Sequence, residues 1–509
     1  MELSNPNANI SVILPELVVA VAGVIVMLYD SFVPRQRFVT MAVSLIGLAL
    51  SAVMLAGMWA GGGDVTGWGG MIAHDSLRYS FSFVFLFVTA ITILVSTVWV
   101  ERENVPVGEY HALLMFATFG MMMMAAGNDL VIIFLGLETL SISTYVMAGL
   151  RRGDLRSNES SMKYFVLGSF ASAFLLYGMA LVYGATGTTN IPQIAASLAN
   201  PNFPALLLVG GAMMIVGFGF KAAVVPFHVW TPDVYEGAPT PVTGFMSAGP
   251  KAAAFASFVR VFVLGFPLVA GSQAAGYLHE SWITALSVMA IFSMTFGNIA
   301  AILQNNVKRM LAYSSIAHAG YALVGFIGAG AAVTATQRDE GIAAVAFYML
   351  TYAVTNLGAF GIVTLLAQKN DRRADFDDYN GIGFRAPALS FTLSLFMLSL
   401  LGLPLTAGFM GKVLVFRPAL EAGNWLLTLV VIAAVINTTI SAYYYLRLVV
   451  VMFFRERTTD WVEPRIPAGM TAALLITVIG VFYFGIFSDQ VIRKFSQPVQ
   501  PTPEARVNQ

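Results

Sequence analysis

The stretch GFGFKAAVVPFHVW, residues 217–230, is almost wholly apolar, yet it holds Lys221, Pro226 and His228. Proline lacks a backbone donor and breaks the carbonyl ladder of a helix. A cation at the centre of a bilayer costs about 2.5–3.5 kcal/mol on insertion scales. A segment that carries both must face protein or water at mid-depth, so the stretch points to a buried polar path and not to a passive anchor.

The rest of the chain places this segment in a membrane. The 509 residues are 58% hydrophobic and 11% charged, with 27 basic and 27 acidic side chains, which excludes an ordinary soluble domain. Apolar runs recur from end to end, and about fourteen are long enough for helices, centred near residues 20, 48, 90, 117, 138, 172, 217, 252, 291, 318, 353, 400, 438 and 478. Barrel strands would give short alternating segments instead. The first run, interrupted by LPEL at 14–17, continues into YDSFVPRQR without a small-residue cleavage site and reads as a retained helix.

Cysteine is absent, so iron–sulfur ligation, disulfides and thiol redox chemistry are not expected in this chain. His74, His111, His228, His279 and His318 are scattered rather than set at ligand spacing, and no phosphate-binding glycine loop follows a strand. No cofactor, metal or nucleic-acid role is expected. MMMM at 121–124 reads as adaptable apolar packing, Asp129 as a helix cap, and DRRADFDDYNG at 371–381 as a solvated connection.

Basic residues sort by loop. Arg35, Arg37, Arg102, Arg151, Arg152, Arg156, Lys308, Arg309, Lys369, Arg372, Arg373, Arg385, Arg455, Arg457 and Arg465 follow odd-numbered segments; loops after even segments hold Arg78, Arg338 and Arg417. By the positive-inside rule the odd loops are cytoplasmic and both termini lie on the opposite, periplasmic face. Apart from these, Arg260 near the end of segment eight, and Arg493, Lys494 and Arg506 in the tail, the basic residues within apolar segments are Lys163, Lys221, Lys251, Lys412 and Arg447. Glu138 is the most interior acid, Glu16 lies nearer a surface, and Glu159 opens segment six.

GFGFK at 217–221 and GFMGK at 408–412 share Gly-Phe-x-x-Lys, each close to a proline, Pro226 or Pro404. An odd separation of five segments makes the repeat inverted, an architecture known from transporters with broken helices at the midplane. Burial lowers a lysine pKa and a nearby carboxylate raises it, so a lysine beside such a break can take up and release a proton. Lys163 has a competing role, since Glu159 one turn earlier can pair with it. His228 and His318 read equally as relay members or as satisfied packing residues, and Arg447, after SAYYYL, reads as a packing or cation–π residue.

The run KAAVVPFHVWTPDVYEGAPTPVTGFMSAGPKAAAF, 221–255, resembles the antiporter-like N-subunit family of proton-pumping NADH:quinone oxidoreductase, respiratory complex I. GNDLVIIFLGLETLSISTYVMAG, RSNESSMKYFVLGSFASAFLLYG, NVKRMLAYSSIAHAGYALVG and GLPLTAGFMGKVLVF resemble it in the same order, over roughly residues 10–490. The resemblance implies an all-α integral membrane fold of about 14 transmembrane helices, with two inverted five-helix repeats and broken helices seven and twelve. It divides the chain into an N-terminal three-helix segment (1–105), a first repeat (106–266), a second, inverted repeat (280–457), and a final helix with the tail (458–509).

The resemblance also implies a proton relay of Glu138, Lys221, Lys251, Lys412, Lys163, His228 and His318, with helix breaks at Pro226 and Pro404. NADH, FMN, iron–sulfur clusters and quinone are then expected in partner subunits. The partners are the other membrane subunits of complex I and, through them, the hydrophilic redox arm. The location is a bacterial inner membrane, the substrates protons. YEGAP at 235–239 favours the N type over the sister M and L subunits and Mrp-type antiporters; Lys412 stands where M carries glutamate, and the tail lacks the long lateral helix of L. A freestanding cation/proton antiporter stays open as the second reading, a structural scaffold as the third. The relative that takes electrons from ferredoxin remains a narrower alternative.

Overall fold

The computed structural model describes residues 10–33, 36–61, 68–457 and 464–498. Arg35, Arg506 and the tail from residue 499 lie outside the described residues, as do both chain ends. Regular structure among the described residues is helical: α1 (Leu14–Phe32), α2 (Arg37–Gly61), α3 (Ser76–Glu103), α4 (Val107–Ala126), α5 (Leu130–Ala148), α6 (Leu155–Thr186), α7 (Ile191–Ser197), α8 (Pro204–Ala222) and α9 (Thr231–Gly237). There follow α10 (Thr240–Phe258, continued by a π-helical turn Val259–Leu264), α11 (Gln273–Ile302), α12 (Val307–Gly330), α13 (Ala335–Leu366), α14 (Pro387–Leu401), α15 (Ala407–Glu421), α16 (Trp425–Phe454), α17 (Ala468–Ile486) and α18 (Ser488–Phe495).

Among the described residues, 12 helices are long and apolar enough to cross a membrane. The difference from the count of about fourteen lies in two places. Helix α4 carries Glu109, Tyr110 and His111 in its first turns, and α14 and α15 have 15 residues each. Helices α10, α12 and α13 form the centre: the most apolar windows of α10 and α12 are 94% buried and that of α13 is 100% buried, whereas α2, α6 and α16 bury only a third. Of the candidate residues, Lys251 on α10 and His318 on α12 are on these most shielded helices. Met121, Met122 and Met124 are buried in this core, and Asp129 caps α5, its carboxylate accepting from Val131 N at 2.9 Å.

One buried ion pair ties the N-terminal helices to one another, and a second binds them to the rest. Arg78 is not a loop residue, as its place in the sequence suggests, but a fully buried member of α3; Arg338 and Arg417 likewise lie inside α13 and α15. The Arg78 guanidinium donates to Glu16 Oε1 and Oε2 at 2.8 and 2.9 Å, to Val12 O at 2.7 Å and to Ala73 O at 3.1 Å. Arg260, in the π-helical turn, clamps Asp75 with two nitrogens and donates to Ala125 O at 2.8 Å. Asp75 also caps α3, so one carboxylate serves a helix end and a buried cation. Fork-to-fork geometry suits arginine because its planar donors match a carboxylate.

The loop after α13 is not the solvated connection expected. The Asp371 side chain is 4% exposed and meets Lys308 at 3.3 Å, Arg151 at 3.2 Å and Arg102 at 3.4 Å, while accepting from Thr240 N at 3.1 Å. One carboxylate thus joins the end of α3, the α5–α6 turn and the starts of α10 and α12. These contacts gather cations of the odd loops at one end of the bundle. Burial would raise the Asp371 carboxyl, but the charges of Lys308, Arg151 and Arg102 outweigh it and hold it below its usual 3.8.

A carboxyl depressed in the folded state contributes stability above its unfolded value, and that contribution is lost as pH falls through the folded one. Asp371→Asn should lower the melting temperature of the purified protein near neutrality and remove part of the acid sensitivity that wild type shows below pH 3.8. Parallel melting curves of the two proteins across that range would refute the assignment. Glu16→Ala leaves Arg78 buried and unpaired, a loss of roughly 3–5 kcal/mol. Thermal unfolding in detergent should show it, and the double change Glu16→Leu with Arg78→Met should restore much of the stability.

Candidate functional site

Both breaks noted in the sequence are bounded by helix ends. Helix α8 stops at Ala222, where Ala223 turns into the left-handed region at φ 59°, and α9 begins only at Thr231. Pro226 lies in the gap. Helix α14 stops at Leu401, Gly402 takes φ 98°, Pro404 follows, and α15 begins at Ala407. Glycine is required at 402 because that φ suits no side chain. At Gly408 a Cβ would meet Ser399 O at 1.8 Å, so the two halves of the second break approach closely only through glycine.

The freed carbonyls find different donors. At the first break Gly219 O accepts from Val224 N at 3.0 Å and Phe220 O from the Trp230 indole at 3.0 Å. At the second, Lys412 Nζ donates to Leu401 O at 2.8 Å and Leu400 O at 3.1 Å. A helix C-terminus carries partial negative charge and stabilises a cation there. Lys221 uses the same effect from the last turn of its own helix. Lys221 precedes its break and Lys412 follows its own, so the shared Gly-Phe-x-x-Lys pattern is out of register with the breaks.

Lys221 donates to Ser141 Oγ at 2.9 Å and to Tyr164 OH at 3.3 Å. Glu138, one turn before Ser141 on α5, accepts from Ser172 Oγ at 2.5 Å. The Ser141 hydroxyl donates to Leu137 O at 2.6 Å, so Glu138 and Lys221 are neither a direct ion pair nor bridged by that serine. Beyond Lys221 the row turns aromatic: Tyr164 stacks on Trp230 at 4.4 Å, Trp230 meets Tyr235 at 5.9 Å, and the Tyr235 ring lies 5.9 Å from Lys251 Nζ. Pro250 inside α10 cannot donate to Met246 O four residues earlier, and the Tyr235 hydroxyl takes that carbonyl at 3.1 Å.

Hydrogen bonding resumes at Lys251, whose Nζ donates to Ser315 O at 2.8 Å and Ser315 Oγ at 2.5 Å. Ser315, His318 and Tyr321 follow at three-residue spacing along one side of α12. His318 contacts Tyr348 OH at 2.7 Å through Nδ1 and Tyr445 OH at 3.1 Å through Nε2. Tyr321 meets His318 edge-on at 5.6 Å, and its ring lies 4.8 Å from Lys412 Nζ. Lys221, Lys251, His318 and Lys412 are all buried. The arrangement can hold protons across five helices: hydrogen bonds join Lys221 to Ser141 and Tyr164, Lys251 to Ser315, and His318 to Tyr348 and Tyr445, while ring contacts alone span Tyr164–Trp230–Tyr235 and His318–Tyr321–Lys412.

Two candidates stand apart from this row. Lys163 Nζ is ion-paired with Glu159 at 2.8 Å and Asp233 at 2.9 Å, its side chain 42% exposed; Asp233 continues to Arg309 at 2.8 Å. His228 lies in the first break against Phe296 at 4.9 Å, with Nδ1 unpartnered. Arg447 uses neither a relay partner nor its adjacent tyrosines: its guanidinium sits 4.2 Å over the Phe376 ring and donates to Gln304 O at 2.8 Å. Ser141, Tyr164, Ser172, Ser315, Tyr348 and Tyr445 were not singled out in the sequence. Only Ser141 had a local signal, its spacing of one turn from Glu138.

Among the described residues no cluster of His, Asp or Glu is arranged to hold a metal. Residues 127–480 match the family described as NADH:quinone oxidoreductase/Mrp antiporter, TM. NADH-quinone oxidoreductase subunit N of Trichlorobacter lovleyi is 42% identical over 505 residues, 97% of each chain. A chain of respiratory complex I from Thermus thermophilus, solved with bound aureothin, superposes with a TM-score of 0.77 at 33% identity, covering 94% of this chain and 99% of that one. A chain of the Mrp complex from a Dietzia species shares the fold, with a TM-score of 0.81 at 20% identity over 96% of each chain. This multi-pass membrane chain belongs to the subunit N family of NADH-quinone oxidoreductase, within the NADH:quinone oxidoreductase/Mrp antiporter family.

Proposed function

We infer that the chain is a membrane-arm subunit of a NADH:quinone oxidoreductase and carries protons across a bacterial plasma membrane, driven by quinone reduction in partner subunits. One observation carries the reading: a row of titratable groups, half-buried Glu138 followed by buried Lys221, Lys251, His318 and Lys412, laid from α5 through α8, α10 and α12 to α15. Buried charges inside membrane helices are expensive, and a line of them is the mark of a proton path. Electrons pass elsewhere: NADH, FMN, iron–sulfur clusters and quinone belong to the partners. A cation/proton antiporter would need the same row; YEGAP and the relatives named as subunit N favour the redox-driven complex.

In this reading α4 and the α14–α15 pair complete fourteen crossings, residues 106–266 and 280–457 are inverted repeats, and the loops gathered around Asp371 face the cytoplasm. Both termini are then periplasmic. Lys412, held by the carbonyl end of α14, releases protons toward the periplasm. Lys221 and Lys251 store protons on either side of the aromatic section, and Ser315 and His318 pass them along α12. Glu138 sets the charge state of Lys221 through its charge. Lys163 and His228 serve at the margins, the former near the entry and the latter in the break.

Mild-detergent extraction should recover the chain with quinone-reducing hydrophilic partners; isolation as an active sodium/proton exchanger would overturn the reading. Lys221→Ala, Lys251→Ala and Lys412→Ala should each cut proton pumping severely in assembled complex, with Lys163→Ala milder. Ser315→Ala should slow pumping about ten-fold, the factor corresponding to loss of a ~1.5 kcal/mol hydrogen bond to a charged group. Pumping by reconstituted vesicles is the readout, and wild-type rates in Ser315→Ala would remove that residue from the path. Pro404→Ala restores a backbone donor beside the α14 end and should slow pumping without loss of assembly. Unchanged pumping would make the second break a packing feature.

A further inference from the structure

Outside the proton row, a groove of about 280 Å³ opens between α2, α3 and α4. Phe38, Met41, Ile93 and Val100 give it apolar walls, while Arg37 and Glu101 stand at its rim. Arg37 is the first residue of α2, Glu101 lies in the last turn of α3, and Val107, also lining the groove, opens α4. The rim is therefore at one membrane surface, at headgroup depth, and the walls extend into the acyl region. The exposed apolar face of α2, with Phe38, Ile46 and Val53, continues outward from it.

Neither the Arg37 nor the Glu101 side chain has an ion pair or hydrogen bond among the described residues, although both line the same groove. Elsewhere in the chain most charges close to the protein interior are paired, as Arg102, Arg151 and Lys308 are. His111, on the second turn of α4, also lines the groove; it is buried, and its Nδ1 has no partner. An apolar slot with a cation and an anion unpaired among the described residues, and one unpartnered nitrogen of a buried imidazole, is complementary to one kind of molecule. It must bring a hydrocarbon tail, an anionic group and a hydrogen-bonding cation.

We propose that this groove binds a zwitterionic aminophospholipid of the phosphatidylethanolamine class. Its phosphate meets Arg37, its ammonium meets Glu101, and part of one acyl chain lies against Phe38, Met41, Ile93 and Val100. A primary ammonium donates charge-assisted hydrogen bonds to a carboxylate, which a quaternary headgroup cannot do. A purely anionic lipid would satisfy Arg37 but set its phosphate beside the unpaired Glu101. The glycerol-ester region passes near His111, which offers a ring nitrogen. The occupant neutralises both rim charges, so the site is selective for charge pattern as well as for lipid.

Native membranes holding the full-length chain in its assembled state test this. They are irradiated after exchange with a phosphatidylethanolamine analogue carrying a diazirine in its acyl chain, or with the matching phosphatidylglycerol analogue, and labelled peptides are mapped by mass spectrometry. The ethanolamine probe should label the segments around Met41 and Ile93 about five-fold more than the glycerol probe, the factor for ~1 kcal/mol of headgroup contact at a membrane surface. Glu101→Gln should remove the preference by admitting the glycerol probe, and Arg37→Gln by losing the ethanolamine probe. Equal labelling of the groove by both probes in wild type would overturn the proposal. So would a groove left unlabelled while the outward face of α2 around Val53 is labelled, since something else then covers it.

Discussion

A carbonyl released by a helix break inside a membrane has no water to fall back on, and its need for a donor organises this protein. At the end of α14 that donor is Lys412, which takes the Leu400 and Leu401 carbonyls. The lysine gains the negative end of a half-helix, and the half-helix gains a cation. At the end of α8 the Trp230 indole and the turn at Val224 take the carbonyls instead, leaving the Lys221 ammonium to reach sideways to Ser141 and Tyr164. The same backbone problem is thus met in two ways, and each leaves a buried lysine with neutral partners.

Other buried charges take charged partners. Arg78–Glu16 and Arg260–Asp75 are buried, forked and saturated with carbonyl contacts at one end of the bundle. Asp371 anchors three cations at the other. Removing one partner from any of these leaves an uncompensated buried charge, so they resist movement. The α10, α12 and α13 core lies between these two fixed ends. The cations of these three junctions sit on carboxylates, whereas Lys221, Lys251 and Lys412 sit on hydroxyls and carbonyls. Lys163 shares the first pattern, paired with Glu159 and Asp233.

An aromatic section lies between the hydrogen bonds of Lys221 and those of Lys251. Tyr164, Trp230 and Tyr235 stack or meet edge-on but do not hydrogen-bond to one another. Tyr164 is on α6, whereas Trp230 comes immediately before α9 and Tyr235 lies within it, so two of the three rings are borne by the short helix on the far side of the first break.

Lys221, Lys251, Lys412, Glu138 and His318 were legible in the linear chain because a charge or imidazole within an apolar run is costly wherever the helix points. The same argument read the membrane class, the all-helical fold and the two prolines. Ser315, Ser141, Tyr348 and Tyr445 were not legible: serine and tyrosine are common in membrane helices, and their importance depends on which neighbour each one faces. Asp371 could not be told from Asp375, Asp377 and Asp378 in the same loop, and Arg78 looked like a loop cation. Composition and periodicity report the cost of placing a residue in lipid, a property of one position at a time. Pairing is a property of two positions distant in sequence, so the partners of Lys251 and Lys412, the Asp371 junction and the missing direct Glu138–Lys221 contact were decided only when helix packing brought those surfaces together.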